Sequence, residues 1–575
     1  MLLQRLVDYA ATLEKPLPMG YGMASVRYEI HLDGDGHLEM PEPIDLATKE
    51  NKFGQRRPVP QVRRSGTKPP PILLADHAEY TLGLARKPED TSKAAGRQQE
   101  YLQLLAQCVE ATGNPVVASV YEFLAHDPVA QLHIPADFEP SGNIEFRVNG
   151  RLATEEADVR RFWGKRNQPD GDLMQCIVCN EQKPALDTLS GVIKGIPGGN
   201  ATGTALITAN EDAFLSYGLT QSKISPICLE CADQFMKGLN ALIANRSHSL
   251  RIQDTVYLFW TKEDVGFSIA GWFDAPDPNQ VRELINSVRT GKHDPSVDAV
   301  PFYALALTAN NARAVVRDWV DTTLGQVKAS LGIWFAQQAI VGPYGEDPAP
   351  LGIYALAAST VRDPKKELTS LTVTTLLRSA LAGTPPPDRL LQQVVRRCQV
   401  EQEVTRPRAA LMKLVLSSQS PTQEDTMIEL QPDHPESAYH CGRLLAVLEI
   451  IQRRSADGQL NTTLVDRFYG TASSAPASVF GTLIRGAQPH ISKLRKNKPG
   501  LAVRLEQEME DVLGALSTFP PILTAKQQAL FALGYYHQRA FSRAQAQTAQ
   551  LRRANANAAP DTDGTDTLSD EEAFQ

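Results

Sequence analysis

Cys176-Ile177-Val178-Cys179 and Cys228-Leu229-Glu230-Cys231 are two CxxC pairs, the arrangement in which four thiolates close a tetrahedral zinc site. The i,i+3 spacing turns both sulfurs of a pair towards one ion, and the second pair supplies the other half of the shell. The segment between the pairs is longer than a compact zinc ribbon uses, so it must form a loop or subdomain that returns. Disulfides, a redox pair and unrelated buried thiols are the rival readings. A reducing compartment disfavours the first, and a redox motif needs no second copy. Four thiolates leave no open coordination position. The expectation is therefore one structural zinc per chain, held by Cys176, Cys179, Cys228 and Cys231. Cys108, Cys398 and Cys441 are scattered and read as core thiols.

No constellation for catalysis accompanies these thiols. The chain has no G-x-S-x-G elbow, no H-E-x-x-H and no Asp/Glu/His cluster at metal spacing. His126-Asp127 and His293-Asp294 are isolated dipeptides, whereas phosphohydrolase chemistry needs further histidines around a metal. The glycine-rich stretch from Gly195 to Gly203 lacks the Gly-Lys-Ser/Thr ending with which a phosphate loop holds a nucleotide and magnesium. A non-enzyme is expected.

Charge supplies the second chemical signal. The formal net charge of −8 argues against a uniformly basic coat for nucleic acid, but it conceals local runs. From Lys49 to Lys68 there are seven basic residues against the single acid Glu50, and from Arg485 to Arg504 six basic residues and no acid. Asp561 to Gln575 holds six acids and no base. Each run read alone is equally a solvated surface. Arg56, Arg57, Arg63, Arg64 and Lys68 lie on a proline-punctuated segment just before Ile72-Leu73-Leu74-Ala75-Asp76-His77, so several cations can reach one duplex. Lys493, Arg495, Lys496 and Lys498 form the core of the second run.

These residues must be positioned by more than one core, because 575 residues suggest roughly three or four domains. Hydrophobic content of 42% with 22% charged residues is that of a globular protein. No signal-like start and no uninterrupted apolar span are present, which predicts a cytoplasmic protein with no membrane partner. The spacing of Leu2, Leu3, Leu6 and Val7 predicts a helix, Val26 to Leu32 alternates as a strand, and Asp33-Gly34-Asp35-Gly36 reads as a turn. Residues 53–71 read as an exposed loop, residues 98–110 as a helix, and Val256 to Leu307 as strands alternating with helices. Arg313, Arg317 and Trp319 read as one helical pattern. Pro385-Pro386-Pro387 is a stiff break, after which Leu501, Leu505, Met509, Val512, Leu513 and Leu516 mark an amphipathic helix. The fold class is multidomain α+β. An N-terminal α+β domain at 1–164, with the basic loop at 49–71, leads to a zinc-binding insertion at 165–250 and a middle α+β domain at 251–384. A C-terminal helical bundle at 385–552 and a disordered acidic tail at 553–575 complete it.

Several strings go further. Leu2-Leu3-Gln4-Arg5-Leu6-Val7-Asp8-Tyr9, Ile72 to Gly83, Gly203 to Asn210, Phe302 to Leu307, Tyr439-His440-Cys441-Gly442-Arg443-Leu444, Asp466-Arg467-Phe468-Tyr469-Gly470-Thr471-Ala472-Ser473-Ser474-Ala475-Pro476 and Gly534-Tyr535-Tyr536-His537-Gln538-Arg539 span most of the chain. Together they make it resemble the large subunit of the type I-C CRISPR surveillance complex (Cascade), the Csd-type family. The resemblance implies a non-catalytic large subunit that recognises the protospacer-adjacent motif, assists duplex opening, stabilises the R-loop and helps recruit the helicase-nuclease. It implies as partners the crRNA-containing Cascade backbone subunits, double-stranded target DNA, the helicase-nuclease and a small subunit made from an internal start of the same gene. Met412 and Met427 are candidate starts. Arg56, Arg57, Arg63, Arg64, Lys68 and His77 become candidate DNA contacts, and Lys493, Arg495, Lys496 and Lys498 candidates for the displaced strand. At His77 the family more often places Asn. The rival readings are a stand-alone zinc-dependent nuclease or hydrolase, and a zinc scaffold that touches only protein.

Overall fold

The structure is a computed structural model that describes the chain except residues 1, 14–16, 63, 65–67, 172, 190–191, 210, 264, 267–268, 291–294, 420–426, 458–459 and 559–575. It is mixed α and β, and it divides into two compact units, Met1–Asp264 with Leu305–Trp319, and Val265–Ala304 with Val320–Gln575.

The first unit opens with α1 (Leu2–Ala11), as the leucine spacing predicts. The alternating stretch that follows is a strand as expected over Tyr28–Leu32, with Val26 ending a separate strand before it. β1 (Tyr21–Val26) and β2 (Tyr28–Leu32) part at Arg27, with β3 (Ile44–Asp45) flanking β2. β4 (Gln55–Pro60) pairs antiparallel with β1 from Tyr21↔Pro60 to Val26↔Gln55. Part of the expected loop is therefore strand, a correction whose cause is chemical. Pro58 and Pro60 read as breakers, yet a two-stranded ribbon leaves edge positions where a missing N–H costs no ladder bond, and Val59 is fully buried.

β5 (Ala75–His77), α2 (Ala78–Thr81), α3 (Thr91–Thr112) and α4 (Pro115–Ala125) come next, then β6 (Asn143–Val148) and β7 (Arg151–Leu152). β2 and β6 run parallel, pairing Tyr28↔Ile144, Ile30↔Phe146 and Leu32↔Val148. These six side chains are buried with residues of α3 and α4. Because a strand alternates its faces, the same register sets Glu29 beside Glu145 and His31 beside Arg147 on the opposite face.

Beyond lie β8 (Leu173–Gln175), β9 (Gln182–Pro184), α5 (Leu229–Ala244) and the sheet β10 (Ser249–Ile252), β11 (Thr255–Thr261), β12 (Pro301–Asn310), β13 (Arg313–Thr323), hydrogen-bonded in that order. The helical expectation for Arg313, Arg317 and Trp319 is corrected here. Asn311, at φ 53, turns the chain back, and the branched run Val315, Val316, Val320, Thr322 favours a strand. Arg317 donates to Thr308 Oγ1 at 2.8 Å across the hairpin, and Trp319 lies 5.6 Å from Trp260.

The second unit is mainly helical. α6 (Leu324–Gln338) and α7 (Ser370–Ala382) precede the three prolines, and α8 (Asp388–Glu401) and α9 (Arg406–Gln419) follow them. The prolines do stop a helix, but α6 packs on both α7 and α9. The expected domain border at 385 therefore falls inside one unit, because helices on either side share a core. α10 (Ser437–Ser455) packs on α11 (Leu464–Ser474), α12 (Phe480–Asn497), α13 (Pro499–Gly514) and α14 (Ala525–Ala558). Buried almost all round, α10 is the axis of this bundle. α14 carries helix past Arg553 to Ala558, and the rest of the expected disordered segment lies outside the described residues.

Candidate metal centre and nucleic-acid interface

β8 and β9 form a hairpin whose turn presents Cys176 and Cys179. Cys176 N donates to Glu181 O at 2.9 Å and Asn180 N to Cys176 O at 2.9 Å, with Asn180 at φ 65 closing the turn. The second pair stands at the start of α5, Cys228 at its cap and Cys231 in its first turn, where the helix dipole favours anionic sulfur. A bridge between Ala185 and Cys228 joins the two. The intervening chain thus returns, as the spacing requires.

All four sulfurs lie within 4.8 Å of one another, and Cys179 Sγ is 4.0 Å from Cys228 Sγ. Tetrahedral thiolate ligands about 2.3 Å from an ion stand roughly 3.8 Å apart, so the set fits a metal with a small contraction. Burial raises the Cys176 thiol, but N–H donors from Cys228, Cys179 and Val178 outweigh it and bring it down to about 7. Burial and the neighbouring sulfurs push Cys231 up, and burial raises Cys228. Lys183 bridges Glu181 and Glu230 at 2.8 and 2.6 Å beside the cluster.

The glycine-rich stretch has a structural role. Gly199 and Ala205 bridge in parallel to Asn311 and Arg313 of the β12–β13 hairpin.

Two cations of the basic segment are engaged inside the unit. Arg57 Nη1 donates to Glu29 at 2.5 Å and Glu145 at 2.9 Å, separating two carboxylates that the β2–β6 register sets side by side. Arg147 adds bonds to Glu29 at 2.9 and 3.2 Å. Arg64 pairs with the buried Asp76 and stands 4.2 Å over the Tyr80 ring. Arg56 and Lys68 are exposed, whereas Arg63 lies outside the described residues. Asp76 also accepts the N–H of Ile72 at 2.7 Å and of His77 at 2.8 Å, which anchors the end of the segment. His77 Nδ1 is buried without a hydrogen-bond partner. Burial lowers the affinity of His77 for a proton, with Arg64 and Arg86 adding to it against Asp76.

Glu29 supplies a pH test. Burial raises its carboxyl, but hydrogen bonds from Arg147, Arg57 and His31 outweigh this and hold it down to about 2. A depressed carboxylate contributes stability above its unfolded value, lost as pH falls through the folded one. Glu145, raised by burial, acts with the opposite sign. Glu29→Gln is expected to cost a few kcal/mol at neutral pH by removing the carboxylate of Arg147 and leaving Arg57 with Glu145 alone, and to flatten the loss of stability between about pH 4.5 and 2. Thermal unfolding across that range checks it, and an acid limb unchanged in shape contradicts it.

In the second unit, Lys493 and Lys496 are exposed on α12. Arg495 bonds to Glu506 at 3.1 Å and Lys498 to Asp457 at 2.5 Å. The sequence showed this run but not the acids that answer half of it.

A family model described as CRISPR-associated protein (Cas_Csd1) matches residues 4–542. The chain belongs to the Cas_Csd1 family. A search of curated proteins returned no match. The C-terminal strings by which the sequence resembles the family are packing devices in this Cas_Csd1 protein. Asp466 forms a capping box with Thr463 at the start of α11. Tyr469 is buried edge-on against Phe531 and Tyr535, and Tyr535 donates to Glu449 at 2.7 Å. Tyr439 and His537 share a hydrogen bond of 2.9 Å between α10 and α14. No helix among the described residues is long and apolar enough to cross a membrane.

Proposed function

We propose that this Cas_Csd1 protein is the non-catalytic large subunit of a type I-C Cascade. In this role it reads the protospacer-adjacent motif, helps open the adjacent duplex, stabilises the displaced strand and helps recruit the helicase-nuclease. The family match along residues 4–542 carries the reading. Phosphate contacts come from Arg56, Arg63 and Lys68, while Arg64 holds the segment against Asp76 and Arg57 holds the sheet. His77 ends the segment at the position where the family more often places Asn, and an imidazole offers a base edge a different donor pattern from an amide. The four-cysteine cluster takes zinc, and its closed thiolate shell gives that zinc a structural role. Lys493 and Lys496 face the displaced strand.

The bundle suits an internal translation product. Met412 lies buried within α9, so a start there cuts a helix in two, whereas Met427 precedes α10 and leaves α10 to α14 whole. Expression of the intact gene with its neighbours is expected to yield a complex containing guide RNA and backbone subunits, with a C-terminal product whose intact mass places its start at Met427. A chain that purifies free of RNA and degrades DNA with added metal contradicts the reading. The absence of any fragment starting between about residues 410 and 460, with proteolysis controlled, contradicts the internal start alone.

A further inference from the structure

A cleft of about 780 Å³ opens in the helical unit, between α10, the start of α13 and the middle turns of α14. Arg453, Arg454, Lys498, Arg504, Arg539 and Arg543 line it, against the carboxylates Glu346, Glu449 and Asp457. Six cations face three anions in the lining, and Arg504 also pairs with Glu508 at 3.6 Å, which leaves an excess positive charge of about two in a concave wall and focuses potential on an anionic occupant. Partial pairing does not remove the excess. Arg453 and Arg539 share the single carboxylate of Glu449, at 2.8 and 3.7 Å, and the backbone N–H of Tyr344 already occupies Glu346 at 2.8 Å. Arg543 stands 5.4 Å over the exposed Tyr344 ring at the rim.

The chain itself carries a matching polyanion. Asp561, Asp563, Asp566, Asp570, Glu571 and Glu572 fall in the stretch that follows α14, with no base among residues 561–575. We propose that the arginine-lined cleft is the docking site of the chain's own acidic segment, residues 561–572, which occupies it in competition with external polyanions. The lengths agree. Gln550 is the last cleft residue on α14 and the helix ends at Ala558, so the segment leaves about 12 Å beyond the cleft at 1.5 Å per residue. The seventeen residues from 559 to 575 reach up to roughly 56 Å when extended, enough to return along the helix and lay several carboxylates in the cleft. Tethering by so short a linker gives an effective concentration on the order of millimolar, so weak charge-assisted contacts suffice for occupancy. The inference is independent of the proposed Cascade role.

The test uses a fluorescent peptide of residues 559–575 in anisotropy titrations at low salt. The chain truncated after Ala558 is expected to bind it, with affinity falling as salt rises. The full chain should bind about tenfold more weakly or worse, because its own segment fills the cleft. The full chain with all six acids changed to Asn or Gln should regain the affinity of the truncated one, and this variant leaves every cleft residue in place. Arg453→Gln, Arg454→Gln and Arg543→Gln combined in the truncated chain should abolish peptide binding. Equal peptide affinity for full and truncated chains overturns the proposal, as does binding that survives loss of the three arginines. An oligo(dT) probe that fills the cleft equally well in the full chain and in its acid-neutralised variant also overturns it, assigning the cleft to nucleic acid alone.

Discussion

Cys228→Ala is expected to reduce bound zinc from one per chain to none, and to turn residues 173–186 from a protected hairpin into a protease-sensitive segment. The β8–β9 hairpin is joined to the rest of the unit through the cysteine cluster, the Ala185–Cys228 bridge, the Lys183–Glu230 pair and backbone bonds from Ile177 to Pro226 and from Leu186 to Ile227. Little apolar burial replaces them there, because Leu173 is exposed and β8 and β9 contain no buried residue. A structural zinc in small domains contributes about 10–16 kcal/mol of apparent binding energy that is also folding energy, so loss of one of four ligands is felt as local unfolding. α5 should survive, because Phe235, Leu239 and Leu242 are buried in the unit and α5 packs on α1. Cys108→Ala is the control, since Cys108 sits in the core beneath the β2–β6 sheet and should leave the zinc count at one. Elemental analysis with limited proteolysis decides it, and zinc retained by Cys228→Ala contradicts the assignment.

Gly534→Ala should be among the most damaging single methyls in the helical unit. A Cβ at Gly534 meets Tyr439 O at 2.0 Å, and one at Gly442 meets Phe531 O at 1.9 Å, so α10 and α14 cross in backbone contact. A backbone carbonyl inside a helix cannot rotate aside, and the helices must separate, taking the Tyr439–His537 and Tyr535–Glu449 hydrogen bonds with them. The cost is expected to be about 3 kcal/mol or more, which for a unit of this size lowers Tm by roughly 6–12 °C. Gly470→Ala is the contrast. It lies in the same kind of family string, yet nothing stands within 4 Å of its Cβ position, so a helical Ala there should be neutral or stabilising by about 0.5–1 kcal/mol. Equal Tm for Gly534→Ala and wild type contradicts the close crossing.

What could be read from the sequence followed how local each signal is. α1, the alternation of Tyr28, Ile30 and Leu32, and the two CxxC pairs are each set within a few residues, and each appears where expected. The basic segment was legible as charge but not as pairing. Arg57 finds Glu29 and Glu145 at separations of 28 and 88 residues, and only the parallel β2–β6 register creates the carboxylate pair that it neutralises. The strand at Gln55–Pro60 was hidden by its prolines, and β13 by a spacing of Arg313, Arg317 and Trp319 that suits a helix as well. The triple proline marked a helix end correctly but not a border, because borders depend on which helices share a core. Nor could the cleft be read in advance, since its arginines come from three helices.

The central claim is that Arg56, Arg63 and Lys68 of the basic segment grip DNA beside the target. The decisive measurement is the salt dependence of target binding by the assembled complex, with wild-type chain and with Arg56→Ala, Arg63→Ala and Lys68→Ala combined. Arg64 is left in place, since removing it strands the buried Asp76 carboxylate and confuses folding with binding. If the three cations neutralise phosphates, affinity falls and the slope of log K against log salt shrinks by about one per lost contact. A variant complex that assembles normally and binds target with unaltered affinity and slope would contradict the account.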